Sequence, residues 1–295
     1  MNPSPTLAVV VAEVAAAHAV AVRPGSMQTY THQWAVWVEL FGADLPVAAL
    51  DRARCQQAVA TLAARYAPTT LRCLLNALRI IIGHAIEAGL LAEDPLRRIT
   101  APRPVRRVRA WLSRAERDRL LMAAAGAGRD LHLLVALGLL AGLRKSEALG
   151  LTWGQVDLTG RQVRIANHAG FTTKSGHWRS VPMCAMLADV LVGYAASRDP
   201  TVFVLAPDHQ LRRGRYRWHC DRPLAALGRR VGLPRVTPHL LRHSFASIVA
   251  QEGVSLYKLA LWLGHGAAAV TELYLHAAPG FDPDIERLNA APTPR

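Results

Sequence analysis

Apolar residues in the first third of the chain recur three and four positions apart, which is the spacing of helices that bury one face. Proline and glycine punctuate these stretches at positions that suit helix starts and stops. The predicted helices cover residues 27–41, 50–64 and 68–88. This pattern predicts an all-helical domain over residues 26–98. An Ala- and Val-rich, helix-prone lead-in over residues 1–25 precedes it.

The pattern becomes mixed after residue 111. An apolar helix is predicted over residues 130–143, and alternating apolar and polar residues in Gln162–Ile165 predict a strand. Segments 170–174 and 178–182 flank the turn signal Ser175-Gly176-His177, so we predict that they pair as a hairpin. Helices resume near Met186.

Capping signals place several helix ends. Ser26, Ser113, Thr237 and Ser255 each precede a helical stretch, where a side-chain oxygen can accept a backbone N–H. Gly264 is predicted to end the helix that Ser255 begins. The predicted fold is therefore mainly α. A helical N-terminal domain is followed, over residues 111–280, by a mostly helical domain with a small antiparallel β-sheet.

An Arg- and Pro-rich linker over residues 99–110 joins the two predicted domains, and a Pro-containing tail covers residues 281–295. The formal net charge is +14 and the pI is near 10.7. This surplus indicates a polyanionic partner, with nucleic acid as the first candidate. The 32 Arg against 3 Lys are typical of a GC-rich coding sequence, but such a bias does not explain 35 basic against 21 acidic residues.

The linker and a later basic patch are the candidate DNA-contacting segments. An extended Arg-rich segment can follow a phosphate backbone, although a charge run equally suits a solvated surface. The candidate DNA-contacting residues are Arg103, Arg106, Arg107, Arg109, Arg212, Arg213 and Arg215.

The four cysteines show neither a CxxC pair nor the spacing of metal ligands, so we predict reduced thiols and no zinc site. The apolar stretch 7–22 lacks a basic leader, and the apolar stretch 132–143 is shorter than a membrane span. Both are predicted to be soluble helices, and the protein is predicted to be cytoplasmic.

Four chemically capable side chains lie close together late in the sequence. His239 and Arg242 fall on one face of a predicted helix start, where free N–H groups and the helix dipole suit an anion. His265 follows a predicted helix end, and Tyr274 follows nine residues later. Taken singly, each also fits an ordinary structural role in a capped helix or a core.

Two upstream residues fit the same chemistry. Arg144 follows a predicted apolar helix, where it also suits a cation at a helix C-terminus. Lys174 adjoins the predicted turn, where a solvated lysine is the ordinary interpretation. In a chain that uses Arg almost everywhere, a retained Lys can also mark a need for an amine that gives up a proton.

Taken together, these segments resemble the tyrosine recombinase, or phage integrase, family, and they occur in that family's order. The segments are Gly142 to Leu149, Thr173 to Gly176, Arg179 to Pro182, His239 to Ala246, Leu263 to His265 and Tyr274 to His276. The resemblance covers about residues 111–277 and implies a catalytic domain there. Residues 26–98 resemble the family's core-binding, SAM-like domain. The short lead-in favours an Xer-like or small phage- or transposon-type integrase.

The resemblance implies a role for each residue. Tyr274 would attack the scissile phosphodiester and form a 3′-phosphotyrosyl link, leaving a free 5′-hydroxyl. Arg144 and Arg242 would clamp the non-bridging oxygens, and Lys174 would protonate the leaving oxygen. His239 would assist proton transfer at the tyrosine and His265 would hydrogen-bond the phosphate, while Glu147 would brace the arginines.

The chemistry suits these residue types independently of the resemblance. Two guanidinium groups neutralise charge that builds on a phosphodiester during attack, and a lysine can serve as the acid. The sequence contains neither a P-loop nor an acidic cluster for Mg²⁺, so we predict no cofactor, no metal and no ATP requirement.

The resemblance also implies partners: double-stranded recombination sites, a homotetramer on paired sites, strand exchange through a Holliday junction, and accessory proteins as a further partner class. Two other functions stay open. A type IB topoisomerase-like relaxase would use the same cleavage and resealing without partner exchange. A catalytically inactive DNA-binding accessory protein would bind without cleaving.

Overall fold

The structure is a computed structural model of the 295-residue chain. It describes residues 4–103, 110–168, 171–173, 176–195, 199–205, 218–233 and 235–264, together with the backbone of residues 211, 212, 215 and 216. The chain divides into two compact units, Met1–Arg107 and Val108–Arg295. The boundary between them falls inside the predicted linker.

The described part of the first unit is a bundle of four α-helices with one short 3₁₀ turn. The helices are α1 Leu7–Ala21, α2 Pro24–Phe41, α3 Arg52–Arg65 and α4 Pro68–Glu87. The apolar stripe of α4 fills the centre of the bundle. The indole nitrogens of two buried tryptophans on α2 fix its position: Trp34 donates to the carbonyl of Ala77 at 3.0 Å, and Trp37 to that of Leu74 at 2.8 Å.

Helix α4 is long and apolar enough to cross a membrane by length and composition, and among the described residues it alone meets that test. Its stripe is buried inside the bundle, from Leu71 to Ala85. A core helix of a globular domain passes the same test, and the burial of α4 matches that role.

The structure corrects one prediction for this region and adds to another. Helix α2 begins at Pro24, where a proline suits the first turn because its missing N–H has no helical partner anyway. Ser26 therefore lies within the helix and does not cap it. The predicted lead-in contains α1, whose Leu7, Val10 and Val14 are buried against the bundle, so it is part of this unit.

The second unit packs its helices around α6, which is apolar on all sides from Leu133 to Leu140. Its helices are α5 Arg114–Ala125, α6 Arg129–Leu140, α7 Lys145–Gly150, α8 Ala185–Tyr194, α9 Asp221–Arg230, α10 Pro238–Gln251 and α11 Leu256–Leu263. Every residue of α6 from Leu133 to Leu140 is buried. A side chain at Gly138 would stand 2.8 Å from the Leu241 Cβ, so glycine allows α10 to approach α6 closely.

A three-stranded antiparallel sheet packs on this core. Its strands are β1 Val156–Asp157, β2 Gln162–Ile165 and β3 Arg179–Pro182, in the order β1-β2-β3, with Val163 opposite Val181. A second ladder pairs β4 Leu211–Arg212 with β5 Arg215–Tyr216. The predicted mainly helical fold with a small antiparallel sheet is confirmed.

The predicted hairpin partner of β3 was wrong. Residues 179–182 pair with β2, because Val163, Ile165 and Val181 together supply the buried face of the sheet. The turn signal itself is real: the amide of Gly176, at φ +78°, donates to the carbonyl of Thr173 at 3.2 Å. Lys174 and Ser175 lie outside the described residues.

Candidate active site

The segment between α6 and α7 begins the site. Helix α6 ends at Leu140, three residues earlier than predicted, and Gly142 then takes φ +64°. A Cβ on Gly142 would lie 2.4 Å from Phe245 Cδ1, so both its conformation and its packing require glycine. Arg144 becomes the N-cap residue of α7. It is not a cation at a helix C-terminus, which was the structural alternative.

Glu147, on α7, is the centre of the site, and only 2% of it is exposed. One carboxylate oxygen accepts the backbone N–H of Arg144 at 2.7 Å, and the other accepts Arg144 NH1 at 2.8 Å. Arg179, from β3, donates NH1 and NH2 to both oxygens at 2.8 and 2.7 Å. The buried carboxylate therefore accepts four hydrogen bonds, three of them from guanidinium groups and one from a backbone N–H.

Arg242 reaches the same place from α10. Thr237 caps that helix as predicted, by accepting the N–H of Leu240 at 3.1 Å. The guanidinium of Arg242 donates to the carbonyl of Gly142 and to that of Leu263, both at 2.6 Å. Its NH1 lies 3.8 Å from Glu147, and only 5% of the residue is exposed.

The end of α11 supplies carbonyls to all three arginines. Ser255 caps this helix, and Gly264 ends it in the left-handed region, both as predicted. Trp262, Leu263 and Gly264 offer their carbonyls to Arg179 Nε at 2.7 Å, Arg242 NH2 at 2.6 Å and Arg144 NH2 at 3.1 Å. A helix C-terminus carries partial negative charge, so it stabilises the clustered guanidinium groups.

The pKa values of two groups reflect this arrangement. Burial alone would raise the pKa of Glu147, but the hydrogen bonds and charge of Arg179, followed by those of Arg144, lower it to about 2. Burial, with the neighbouring Arg144, lowers the pKa of Arg242 to about 9, and Glu147 opposes that shift. Among the described residues, the site at neutral pH holds three guanidinium cations and one carboxylate, an excess of positive charge suited to an anion.

The structure brings together Arg144, Glu147 and Arg242 among the predicted site residues. His239 lies in the first turn of α10, exposed, one turn before the buried Arg242. Lys174, His265 and Tyr274 lie outside the described residues.

The structure describes some of the predicted DNA-contacting residues and not others. Arg103 is exposed at the end of the described part of the first unit, and Arg212 and Arg215 lie on β4 and β5. The remaining members, which lie outside the described residues, are Arg106, Arg107, Arg109 and Arg213.

Arg179 belongs to one of the family-like segments but had no predicted role, and the structure places it in the site. Two signals could have identified it. Its neighbour two positions on, Val181, is apolar, so Arg179 shares the inward face of the strand. Glu147, which was predicted to brace the arginines, also needs a close counter-ion of its own if Arg144 and Arg242 are to act on a phosphate.

Comparison with solved structures identifies the fold. The Tn1549 transposon integrase in complex with a circular intermediate DNA matches with TM-score 0.75 over 97% of this chain and 99% of that chain, at 17% identity. The lambda integrase tetramer bound to a Holliday junction matches with TM-score 0.77 over 95% and 80%, at 15% identity. The chain therefore has the fold of the integrases.

Sequence comparison identifies the family. Residues 110–280 match the model of the phage integrase family. The tyrosine recombinase XerC of Mycobacterium tuberculosis is 32% identical over 237 residues, covering 74% of this chain and 76% of that protein. XerD of Lacticaseibacillus casei is 30% identical, covering 71% and 73%. The chain belongs to the phage integrase family and is a tyrosine-type, site-specific DNA recombinase.

Proposed function

We propose that this recombinase cleaves and rejoins duplex DNA through a 3′-phosphotyrosyl intermediate on Tyr274. The observation that carries the proposal is the convergence of Arg144 and Arg242, 98 positions apart in sequence, on Glu147 and on the adjacent carbonyls of Leu263 and Gly264. The segment that they hold leads directly into His265 and, nine residues later, Tyr274.

The proposed reaction balances without an external energy source. The Tyr274 oxygen attacks phosphorus, the bond to the 5′-oxygen breaks, and Lys174 gives that oxygen a proton. Arg144 and Arg242 stabilise the charge that grows on the non-bridging oxygens, and His265 hydrogen-bonds one of them. His239 assists removal of the tyrosine proton, because a phenol with a pKa near 10 is a weak nucleophile at neutral pH.

Rejoining runs the same steps in reverse. The phosphotyrosyl ester conserves the bond energy of the phosphodiester, so a 5′-hydroxyl can displace the tyrosine without ATP. The arginines supply the charge stabilisation that a metal ion would otherwise supply. We therefore propose that cleavage and rejoining proceed with neither ATP nor metal.

The proposed partners are double-stranded recombination sites, on which four copies exchange strands through a Holliday junction. The DNA complexes of the Tn1549 and lambda integrases, one of them a tetramer on a Holliday junction, support this proposal. The net charge of +14 also suits a polyanion. Accessory proteins and a cytoplasmic location belong to the same proposal.

A nicked suicide duplex tests the reaction, because the short strand beyond the cleavage point diffuses away and the covalent adduct accumulates. A library of such duplexes with randomised sequence removes the need to know the site beforehand. Wild type should form a protein–DNA adduct that resists denaturation, and Tyr274→Phe should form none.

Other outcomes identify the alternatives. DNA binding by wild type without any adduct would indicate the accessory-protein function. An adduct with no recombinant product, even on two copies of the selected site, would indicate a relaxase.

A further inference from the structure

Arg179 links three elements of the site although it was assigned no part in the chemistry. It lies on β3 opposite Ile165, with its side chain 9% exposed. NH1 and NH2 bind both oxygens of Glu147 on α7, and Nε binds the carbonyl of Trp262 near the end of α11. Two of its nitrogens therefore bind the carboxylate that Arg144 also binds, and the third binds the carbonyl next to those of Leu263 and Gly264, which Arg242 and Arg144 use.

Arg179 is the closest counter-ion of Glu147. It contacts both carboxylate oxygens with its guanidinium, whereas the side chain of Arg144 contacts one and Arg242 stays 3.8 Å away. With Arg179 present, three cations face one carboxylate. Without it, Glu147 would be balanced by Arg144 and Arg242 alone, and half of their combined charge would be neutralised.

The same side chain also fits closely against the end of α11. A Cβ on Gly264 would stand 3.0 Å from Arg179 Cδ, and the φ of Gly264 is +62°. The carbonyl of Gly264 accepts Arg144 NH2, so the position of Arg179 bears directly on a partner of Arg144. One residue thus constrains both the carboxylate and the carbonyls that hold the two arginines.

We propose that Arg179 is a positioning residue for DNA cleavage, which neutralises Glu147 and fixes the end of α11 so that Arg144 and Arg242 remain available to the scissile phosphate. It does not touch the phosphate itself. This inference rests on the proposed function, since it assigns the arginine pair to that phosphate.

Single-turnover cleavage at saturating protein tests the proposal on a suicide duplex that wild type cleaves. Arg179→Met should lower the rate by about 10²-fold, because displacing Arg144 or Arg242 from the phosphate is equivalent to losing one transition-state contact. Its affinity for the duplex should change little. Arg179→Lys keeps the charge but cannot bind both carboxylate oxygens and Trp262 at once, so it should recover only part of the rate.

A double-mutant cycle separates charge balance from a merely structural role. Glu147→Gln in the Arg179→Met background restores the excess of two positive charges that wild type has. We therefore expect the double variant to cleave about tenfold faster than Arg179→Met, which is a strongly non-additive result. A structural role predicts instead that the double variant is no faster than either single variant, and that outcome would overturn the proposal.

Arg164→Met provides the matched control, because Arg164 is an exposed arginine on the neighbouring strand β2. Its cleavage rate should equal that of wild type. If Arg179→Met does not fold, Arg179→Lys carries the test, and a wild-type rate for it would overturn the proposal. If wild type forms the adduct and Arg179→Met cleaves at the wild-type rate, this inference is overturned but the proposed function is not. No adduct with wild type on any duplex would overturn the proposed function and this inference with it.

Discussion

At the scale of single residues, the buried carboxylate of Glu147 makes the arginine cluster stable. Three guanidinium groups packed at 26%, 9% and 6% side-chain exposure would otherwise repel one another in a medium that screens charge poorly. The carbonyls at the end of α11 add partial negative charge, but they cannot replace a full one.

The stability of the fold should depend on this carboxylate in acid. Its pKa is about 2 in the folded chain against an ordinary 4.5, so its stabilisation is fully present above pH 4.5 and is lost as the pH falls toward 2. Glu147→Gln removes that dependence. In urea unfolding, the difference in unfolding free energy between wild type and variant should narrow by about 2 kcal/mol from about pH 6 to about pH 3. A difference that stays constant over this range would contradict the account.

The resemblance to the integrase family, together with the chemistry that a phosphodiester site needs, predicted that Arg144, Glu147 and Arg242 would meet. Short sequence motifs placed each at a helix end or helix start, and helix ends are where charged side chains gather around exposed backbone groups. Arg179 was not predicted, because its partner lies 32 positions away on another element. Pairing across such a distance depends on how β3 docks against α7 and α11, which local pattern does not encode.

At the scale of elements, two glycines allow the chain to bend around the arginines. Gly142 follows α6 and Gly264 follows α11, each with positive φ, and each offers its carbonyl to an arginine. A residue with a side chain would strain the backbone at either position and would also meet a neighbour.

Comparing Gly142 with Gly253 separates the cost of backbone strain from the cost of close contacts with neighbouring side chains. Gly253 also has positive φ, +76°, but a Cβ there would meet nothing within 4 Å, whereas one on Gly142 would clash with Phe245 and Leu263. Gly253→Ala should cost about 1 kcal/mol of unfolding free energy from backbone strain. Gly142→Ala should cost about 2 kcal/mol more from overpacking, measured by urea unfolding. Equal losses would show that the close contacts at Gly142 do not matter.

The first residues of helices were predicted better than the pairing of strands. Ser113, Thr237 and Ser255 accept backbone N–H groups as predicted, since a cap depends on residues three positions away. The strand partner of β3 was predicted wrongly, because turn signals give the position of a reversal but not which distant strand completes the buried face. Helix α7 was missed because its six residues are too few to show a period.

At the scale of the whole molecule, the charge of +14 and the division into two units suit a protein that holds a long polyanion. The boundary between the units lies at residues 107 and 108, within the stretch where the predicted DNA-contacting arginines are densest. Composition predicted this partner class, but composition does not distinguish residues that bind phosphates from residues that read bases.

The salt dependence of DNA binding should show whether the linker arginines contact phosphates. We would replace Arg103, Arg106, Arg107 and Arg109 by Gln and plot log affinity against log salt concentration. If each arginine neutralises one phosphate, the slope should become less steep by about 3 to 4. Replacing the four exposed arginines Arg52, Arg54, Arg65 and Arg72 of α3 and α4 provides a control of equal charge. Equal slopes for both quadruple variants would mean that the linker acts only through net charge.

The identity of the residue that becomes covalently joined to DNA shows whether Tyr274 is the nucleophile. Trypsin releases residues 259–287, a peptide whose only tyrosine is Tyr274, while Tyr257 falls in the preceding peptide. After nuclease digestion of the trapped adduct, mass spectrometry should find the nucleotide remnant on residues 259–287, joined through a 3′-phosphate. A remnant on any other peptide, or one joined through a 5′-phosphate, would contradict the account.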